Sequence, residues 1–328
     1  MSTNLGNLVV SSSPHIKTTT TISSAMRDVL IALTPALIVS LYYFRWASLS
    51  VILVSVIAAV LSEYIFQKAT NQEVTINDYS AAVTGLLLAF TLPPNLPLWM
   101  VAIGSAASII VAKQIFGGLG NNIFNPALIG RAILVASWPA AMTTWISPID
   151  GVTTATPLGI IKEANTLQAL GDMTGAGNLL AQLPTLTDAF IGNIAGSLGE
   201  TSAIALILGG LYLIYKGHVD WRIPGTYIGT VFVLTTIIGF ATGQGVWYPV
   251  FHILTGGLLL GAFFMATDWV TTPITKKGRI IFGLGCGLLT VLIRLKGGYP
   301  EGVCYSILLM NCITPLIDRY TKAKVFGR

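Results

Sequence analysis

The residues of this chain best suited to chemistry are the run Asp150 to Gly159, reading DGVTTATPLG. It is small, rich in hydroxyls and set in a polar loop of an otherwise hydrophobic sequence. The run holds Ala155-Thr156, where a secondary alcohol stands with little steric cover. An alcohol of that kind can accept a phosphoester and so tether a phosphate-bearing group through one oxygen. Asp150, Thr153, Thr154 and Ala155 frame it. Spacing alone favours a plainer reading, an Asp-Gly turn in a Ser/Thr-rich loop.

Two further segments offer polar groups next to helix starts. In GGLGNNIFNPALIGRA, 117–132, Pro126 occupies a first helical turn, where proline is favoured. Asn125 is expected to cap that helix, leaving backbone amides free to meet a polar ligand. The amides of Asn122 and Asn125 suit the hydrogen-bonding edge of a ring or a polyol chain, although a plain cap and turn explains them equally well. In GNIAGSLGETSA, 192–203, the residues Gly199, Glu200 and Thr201 are expected to open a helix. Glu200 then faces the positive end of the helix dipole and borders the Thr156 loop. Asp268 and Glu301 are read as acids on a solvated face, where they cost little.

The same inventory excludes several chemistries. His15, His218 and His252 stand apart and form no ligand set with carboxylates, so no metal is assigned. The sequence has no phosphate-binding P-loop and no GxGxxG following a strand, which leaves nucleotide hydrolysis and dinucleotide binding unsupported. Cys286, Cys304 and Cys312 show no CxxC spacing and are read as small buried hydrophobes.

Only a membrane fold can position these residues. The 328 residues are 53% hydrophobic and 9% charged, against about 25% charged in soluble domains. Mean hydropathy is +0.75. Spanning requires roughly 20 apolar residues, and candidates fall at 27–44, 48–67, 79–92, 97–115, 125–142, 201–216, 223–241, 250–267, 279–295 and 301–317. The third ends at Pro93-Pro94 and reads as broken. The fold expected is an all-α polytopic membrane protein of about ten transmembrane helices. No apolar stretch of signal-peptide length occupies the first 25 residues, so the first helix is expected to direct insertion.

The net charge of +5 reads as topology, with no nucleic-acid partner. Lys17, Arg27, Lys68, Lys113, Arg131, Lys216, Arg222, Lys276, Lys277, Arg279, Arg319, Lys322, Lys324 and Arg328 fall on one side, and Arg45, Lys162, Arg294 and Lys296 on the other. By the positive-inside rule both termini are cytoplasmic and the loop 143–200 is outside. Trp138 and Trp145 near that loop are read as interface anchors. The expected division is a cytoplasmic segment 1–26, a five-helix repeat 27–142, the outer loop 143–200, a second repeat 201–318 and a cytoplasmic tail 319–328. The repeat rests on Gly85-Leu-Leu-Leu-Ala-Phe90 echoing 257–263. Each is followed by a Pro/Thr turn, a Gly/Ala-rich helix and a Gly-Gly pair. An odd number of spans per half makes the repeats inverted, with sites between helices broken by Gly and Pro.

Taken together, GLGNNIFNPALIGRA (118–132), DGVTTATPLG (150–159), GSLGETSA (196–203), GAFFMATDWVTTPIT (261–275), KGGYPEG (296–302) and MNCITPLID (310–318) make the chain resemble one family. It comprises the D subunit of the Rnf ferredoxin:NAD oxidoreductase complex, which moves Na+ or H+, and the more distant B subunit of sodium-pumping NADH:quinone reductase (Nqr). The resemblance runs from about residue 25 to 320, and the chain's length favours the Rnf member.

That resemblance implies a flavoprotein of the bacterial cytoplasmic membrane. FMN would be phosphoester-linked to Thr156, placed there from FAD by a separate flavin transferase. A second, noncovalent, riboflavin-like flavin would sit at Asn122 and Asn125. Thr154 stands where the flavinylation motif usually has Gly. The implied partners are the other membrane and peripheral subunits, including the FMN-carrying G subunit and iron-sulfur subunits, together with membrane lipid. The alternative from the residues alone is an inverted-repeat solute or ion transporter without cofactor.

Overall fold

The computed structural model describes residues 20–148, 151–299 and 301–322, and nearly all of its regular structure is helical. The first helix, α1, is an α-helical run Ile22–Ala69 interrupted at Arg45 (φ 48°, ψ −123°). In a straight helix, residues eight apart stand about 12 Å from each other. Yet the hydroxyls of Ser40 and Ser48 are 2.6 Å apart, and Ser23 Oγ donates to the Asn77 carbonyl at 3.1 Å. The chain therefore reverses at Arg45 into a hairpin with arms 22–44 and 46–69. The two expected spans are present, joined by a turn too tight to read as a loop.

There follow α2 (Ser80–Phe90), α3 (Leu98–Ile109, passing into a π-helical turn Ile110–Gln114), α4 (Pro126–Ser137) and α5 (Pro139–Met142). The second half has α9 (Ala203–Tyr215), α10 (Arg222–Ala241), α11 (Trp247–Leu254), α12 (Leu258–Leu260, passing into a π-helical turn Gly261–Met265), α13 (Lys276–Lys296) and α14 (Val303–Tyr320). Among the described residues, Ile22–Ala69, Arg222–Ala241 and Lys276–Lys296 are long and apolar enough to cross a bilayer, and the pair Trp247–Leu254 and Leu258–Met265, bent by 59°, makes a fourth. The apolar helices α2, α4 and α9 are shorter than the roughly 17 residues a crossing needs.

The central elements are α2 and the Leu258–Met265 segment. Every residue of α2 except Ala82 is buried, as is every residue of 258–265. Both are hydrophobic on all sides, which suits a helix enclosed by others. Both start from a residue in the left-handed region, Tyr79 (φ 63°) and Gly257 (φ 68°). A helix ending inside a protein leaves carbonyls that need donors. The Phe90 carbonyl accepts from Gly199 N at 2.8 Å and Leu92 O from Leu198 N at 3.1 Å. Arg131 Nη1 donates to Thr91 O, and Asn125 Nδ2 to Met265 O at 3.1 Å. Two of the residues that close these buried helix ends, Gly199 and Asn125, are ones the sequence singles out.

Side-chain bonds sort the connections into two ends. His218 Nε2 lies 2.8 Å from Asp28 Oδ2, Arg279 Nη1 donates to Asp220 at 2.7 Å, and Ile274 N donates to Asp318 at 3.0 Å. These gather the start of α1, the end of α9 and the α13–α14 termini at one end. The segment 143–200 occupies the other. It is folded, where sequence suggested a loop: a two-strand ladder, β1 (Trp145–Ile146) with β2 (Thr153–Thr154), then α6 (Pro157–Ala169), α7 (Met173–Leu180) and α8 (Leu186–Ile191). Leu158, Ile161, Ala189 and Ile194 form a small core with Tyr248 and Phe251 of α11. Burying that apolar surface is what holds so long a connection in place.

Candidate functional site: two cavities at opposite ends

Thr156 caps α6. Its backbone is extended (φ −68°, ψ 154°), its Oγ1 accepts from Gly159 N at 3.1 Å, and Pro157 takes the first helical position. Threonine followed by proline is a strong local start signal. The accessible alcohol expected from sequence is in fact buried, at 6% exposure, because it lines a cavity of about 170 Å³ with Trp145, Arg131, Tyr299, Glu301 and Tyr305. Thr153 and Thr154 pair with Ile146 and Trp145 and are exposed. Ala155 is exposed beside them and also lines the cavity. The side chain at Thr154, where a Gly was expected, therefore has room. Asp150 lies outside the described residues. Trp145, read as an interface anchor, is instead buried in the cavity wall. Trp138 stands apart, edge-on to Trp99 with ring centres 5.2 Å apart.

The floor of this cavity is charged. Arg131 Nη2 pairs with Glu301 Oε2, and both side chains are largely buried. Glu301 is thus no solvated acid, and Arg131, expected among the cytoplasmic bases, spends its charge inside the protein. Glu301 Oε1 is buried without a partner. Arg294 Nε holds the Glu301 carbonyl at 2.9 Å.

Glu200 does not cap a helix. Ser202 does so, accepting from Ala205 N at 3.3 Å, and α9 starts at Ala203. Glu200 lies in the preceding turn, buried against Gly257, where a Cβ would meet its Oε1 at 2.5 Å. Gly199 has the same tightness: a Cβ there would meet Phe90 at 2.4 Å. Thr201 is buried in that turn and donates to Leu198 O at 3.3 Å.

A larger cavity, about 270 Å³, opens toward the other end, lined by Asn122, Asn125, Lys113, Ser80, Asp268 and apolar side chains of α1, α2 and α9. Asn122 is buried; its Nδ2 donates to Phe124 O at 3.1 Å while Oδ1 lacks a partner. Asn125 is the expected cap, accepting from Leu128 N at 3.3 Å, and its Nδ2 is taken by Met265 O. Asp268 is half-buried in the cavity wall instead of facing solvent. Of the cysteines, Cys286 and Cys304 are buried as read; Cys312 is exposed.

Sequence reading missed Lys113 as well as Arg131 and Glu301. The π turn aims Lys113 into the bundle, where its Nζ donates to Glu63 and to Ser80, each at 2.6 Å. An acid inside an apolar span, Glu63, was the available signal.

The chain is similar to known proteins over nearly its whole length. The chain is 54% identical to the D subunit of the proton-translocating ferredoxin:NAD(+) oxidoreductase complex of Clostridium ljungdahlii, over 97% of this chain and 96% of that one. It is 48% identical to the D subunit of the Na(+)-translocating ferredoxin:NAD(+) oxidoreductase complex of Acetobacterium woodii, over 98% and 96%. It is 36% identical to the D subunit of the ion-translocating oxidoreductase complex of Citrobacter koseri, over 97% and 98%. Residues 9–327 match the family described as NQR2, RnfD, RnfE, and the chain belongs to that family.

Proposed function

We propose that this chain is the D subunit of an ion-translocating ferredoxin:NAD oxidoreductase, carrying FMN as a phosphoester on Thr156 and passing electrons as the complex moves Na+ or H+. The observation that carries the reading is that the one Thr of the motif with its hydroxyl in a cavity is Thr156, and that Trp145, Tyr299, Tyr305 and Arg131 share that cavity. Aromatic rings suit a flat heterocycle, and a guanidinium suits its negative charge when reduced. The flavin supplies the redox chemistry; the chain orients it and sets its potential. Fluorescence of the denatured, gel-separated chain, with mass spectrometry of the Thr156 peptide, tests the attachment. A dark band returns the chain to the reading as a transporter without cofactor.

The partners on this reading are the FMN-carrying G subunit, the iron-sulfur subunits and a flavin transferase. The two halves are inverted repeats of five helical arms each. The matched, almost wholly buried segments α2 and 258–265, each starting from a left-handed residue, support this, and such folds place sites between broken helices.

A second, riboflavin-like flavin occupies the larger cavity, with Asn122 as the free amide. Asn122→Ala removes one buried hydrogen bond, worth about 1–3 kcal/mol. It should lower affinity for extractable flavin by roughly 5- to 150-fold and leave the covalent band unchanged. Full extractable flavin in the Asn122→Ala complex excludes the site. Asn125, whose two amide atoms already bond protein, instead holds α4 to the 261–265 turn.

The loop 143–200 lies outside and both termini inside. A cysteine at exposed Gly171 should react with an impermeant thiol reagent on intact cells, and one at exposed Lys322 should not, in a chain whose exposed Cys312 is changed to Ser. The reverse pattern defeats this orientation and puts the flavin on the wrong face.

A further inference from the structure

Two largely buried carboxylates lie near the Thr156 cavity: Glu301 in its wall, and Glu200 packed on Gly257, whose neighbour Gly256 shares Arg294 with the Glu301 carbonyl. Glu301 Oε2 is paired with Arg131, while Glu301 Oε1 is buried and unpartnered. Glu200 is buried, and among the described residues it has no cation within 4.0 Å. The groups whose charge acts on Glu200 are Glu301 on the segment before α14, Arg131 of α4 and Arg294 of α13, and its backbone N–H donates to the Ser197 carbonyl at 3.1 Å. Cys304 and Tyr305 of α14 act on Arg131 in turn. Arg294 is spent on carbonyls, those of His252, Thr255, Gly256 and Glu301. Among the described residues Arg131 is the one guanidinium of the cavity wall, and it is already matched by Glu301.

Negative charge arriving in this cavity meets no free cation. Like charges a few ångströms apart in a water-poor setting disfavour each other's charged forms. The compensation open to the protein is a proton on a carboxylate. We propose that the Glu200–Glu301 pair takes up one proton each time the cofactor on Thr156 gains one electron. This rests on the covalent-flavin reading above and deepens it. The balance is closed: a reduced ferredoxin-type donor, acting through the complex, loses the electron and the cofactor gains it. One carboxylate then binds a proton from water to form an O–H bond, and the net charge of the cavity does not change. The geometry makes Glu200 the better acceptor, since it lacks the ion pair that Glu301 makes with Arg131. In agreement, burial first, and the nearby Glu301 second, raise the Glu200 carboxyl from the usual carboxylate range to about 7.

The consequence is a pH-dependent potential. Below about pH 7 Glu200 is already protonated, and reduction takes up no proton there. Above it, reduction draws one in, and the potential falls as pH rises. Spectroelectrochemical titration of the purified complex tests this, with the covalent flavin isolated as the difference between wild-type and Thr156→Ala spectra. Above about pH 7 the wild-type slope should exceed that of Glu200→Gln by up to about 59 mV per pH unit, one tenfold proton step per electron. Below it the two slopes should agree. Glu200→Asp should restore the wild-type slope, which a purely structural role for Glu200 would not require. Equal slopes in wild type and Glu200→Gln, with the fluorescent band present in both, overturn the proposal. Should Glu200→Gln fail to assemble, Glu301→Gln replaces it. There the midpoint should shift upward and the slope change, and an unchanged slope and midpoint overturn the proposal. A wild-type chain without the fluorescent band instead defeats the underlying attachment reading.

Discussion

Changing Thr156 to Ala should abolish covalent flavin on this chain outright, because no other hydroxyl of the motif reaches the cavity. Thr153 and Thr154 are exposed on a strand, with Trp145 and Ile146 as backbone partners, and neither lines the cavity. The structure adds a cost that sequence did not suggest. Thr156 is the N-cap of α6, and losing such a cap costs about 0.5–2 kcal/mol. A lost band in Thr156→Ala could therefore reflect a loosened α6. Thr156→Asn separates the two effects: asparagine caps as well as threonine but has no alcohol to esterify. Thr156→Asn should keep near-wild-type thermal stability and show no fluorescent band, whereas Thr156→Ser, which keeps both oxygen and cap, should retain some flavin. Covalent flavin persisting on Thr156→Asn would place the attachment at another residue.

The features legible in sequence were the local ones. The cap at Asn125 was read because asparagine followed by proline specifies a helix start within a few residues; the same signal at Thr156-Pro157 was passed over for a turn in a loop. Hydropathy, also a local signal, located the apolar arms. It also marked the third span as short and broken at Pro93-Pro94, but it could not show what closes a helix end inside the protein. Helix α2 and the segment 258–265 end inside the protein because distant residues satisfy their last carbonyls: Gly199 for Phe90, Arg131 for Thr91 and Asn125 for Met265. The break between the first two spans was legible around Arg45; what the structure adds is its tightness, a reversal at a single non-glycine residue. The start of α9 was misplaced because both Thr201 and Ser202 can cap, and burial of Glu200 against Gly257 decided between them. The pair Arg131–Glu301 joins residues 170 apart in sequence. Each alone looks like an interface charge, and only the cavity they share gives them a role.

The buried charge at the other end of the bundle should have the largest effect on stability. Glu63 and Lys113 are 0% and 2% exposed, and Glu63 Oε1 also accepts from Gln114 Nε2 at 2.7 Å and Gln67 Nε2 at 3.4 Å. The extra residue of the π turn brings Lys113 to this point and to Ser80, the first residue of α2. Removing one member of such a pair leaves a buried charge uncompensated and costs about 3–5 kcal/mol. Replacing both with apolar groups of similar volume is close to neutral. Lys113→Met should therefore lower the thermal midpoint of the detergent-solubilised complex by on the order of 10 °C, given roughly 2–4 °C per kcal/mol. Adding Glu63→Met should recover most of that loss. The amides of Gln114 and Gln67 cannot replace the ammonium, because they donate hydrogen bonds and carry no charge. Equal midpoints for wild type and Lys113→Met would mean that the ion pair contributes nothing to stability. The double variant would then show no recovery to measure.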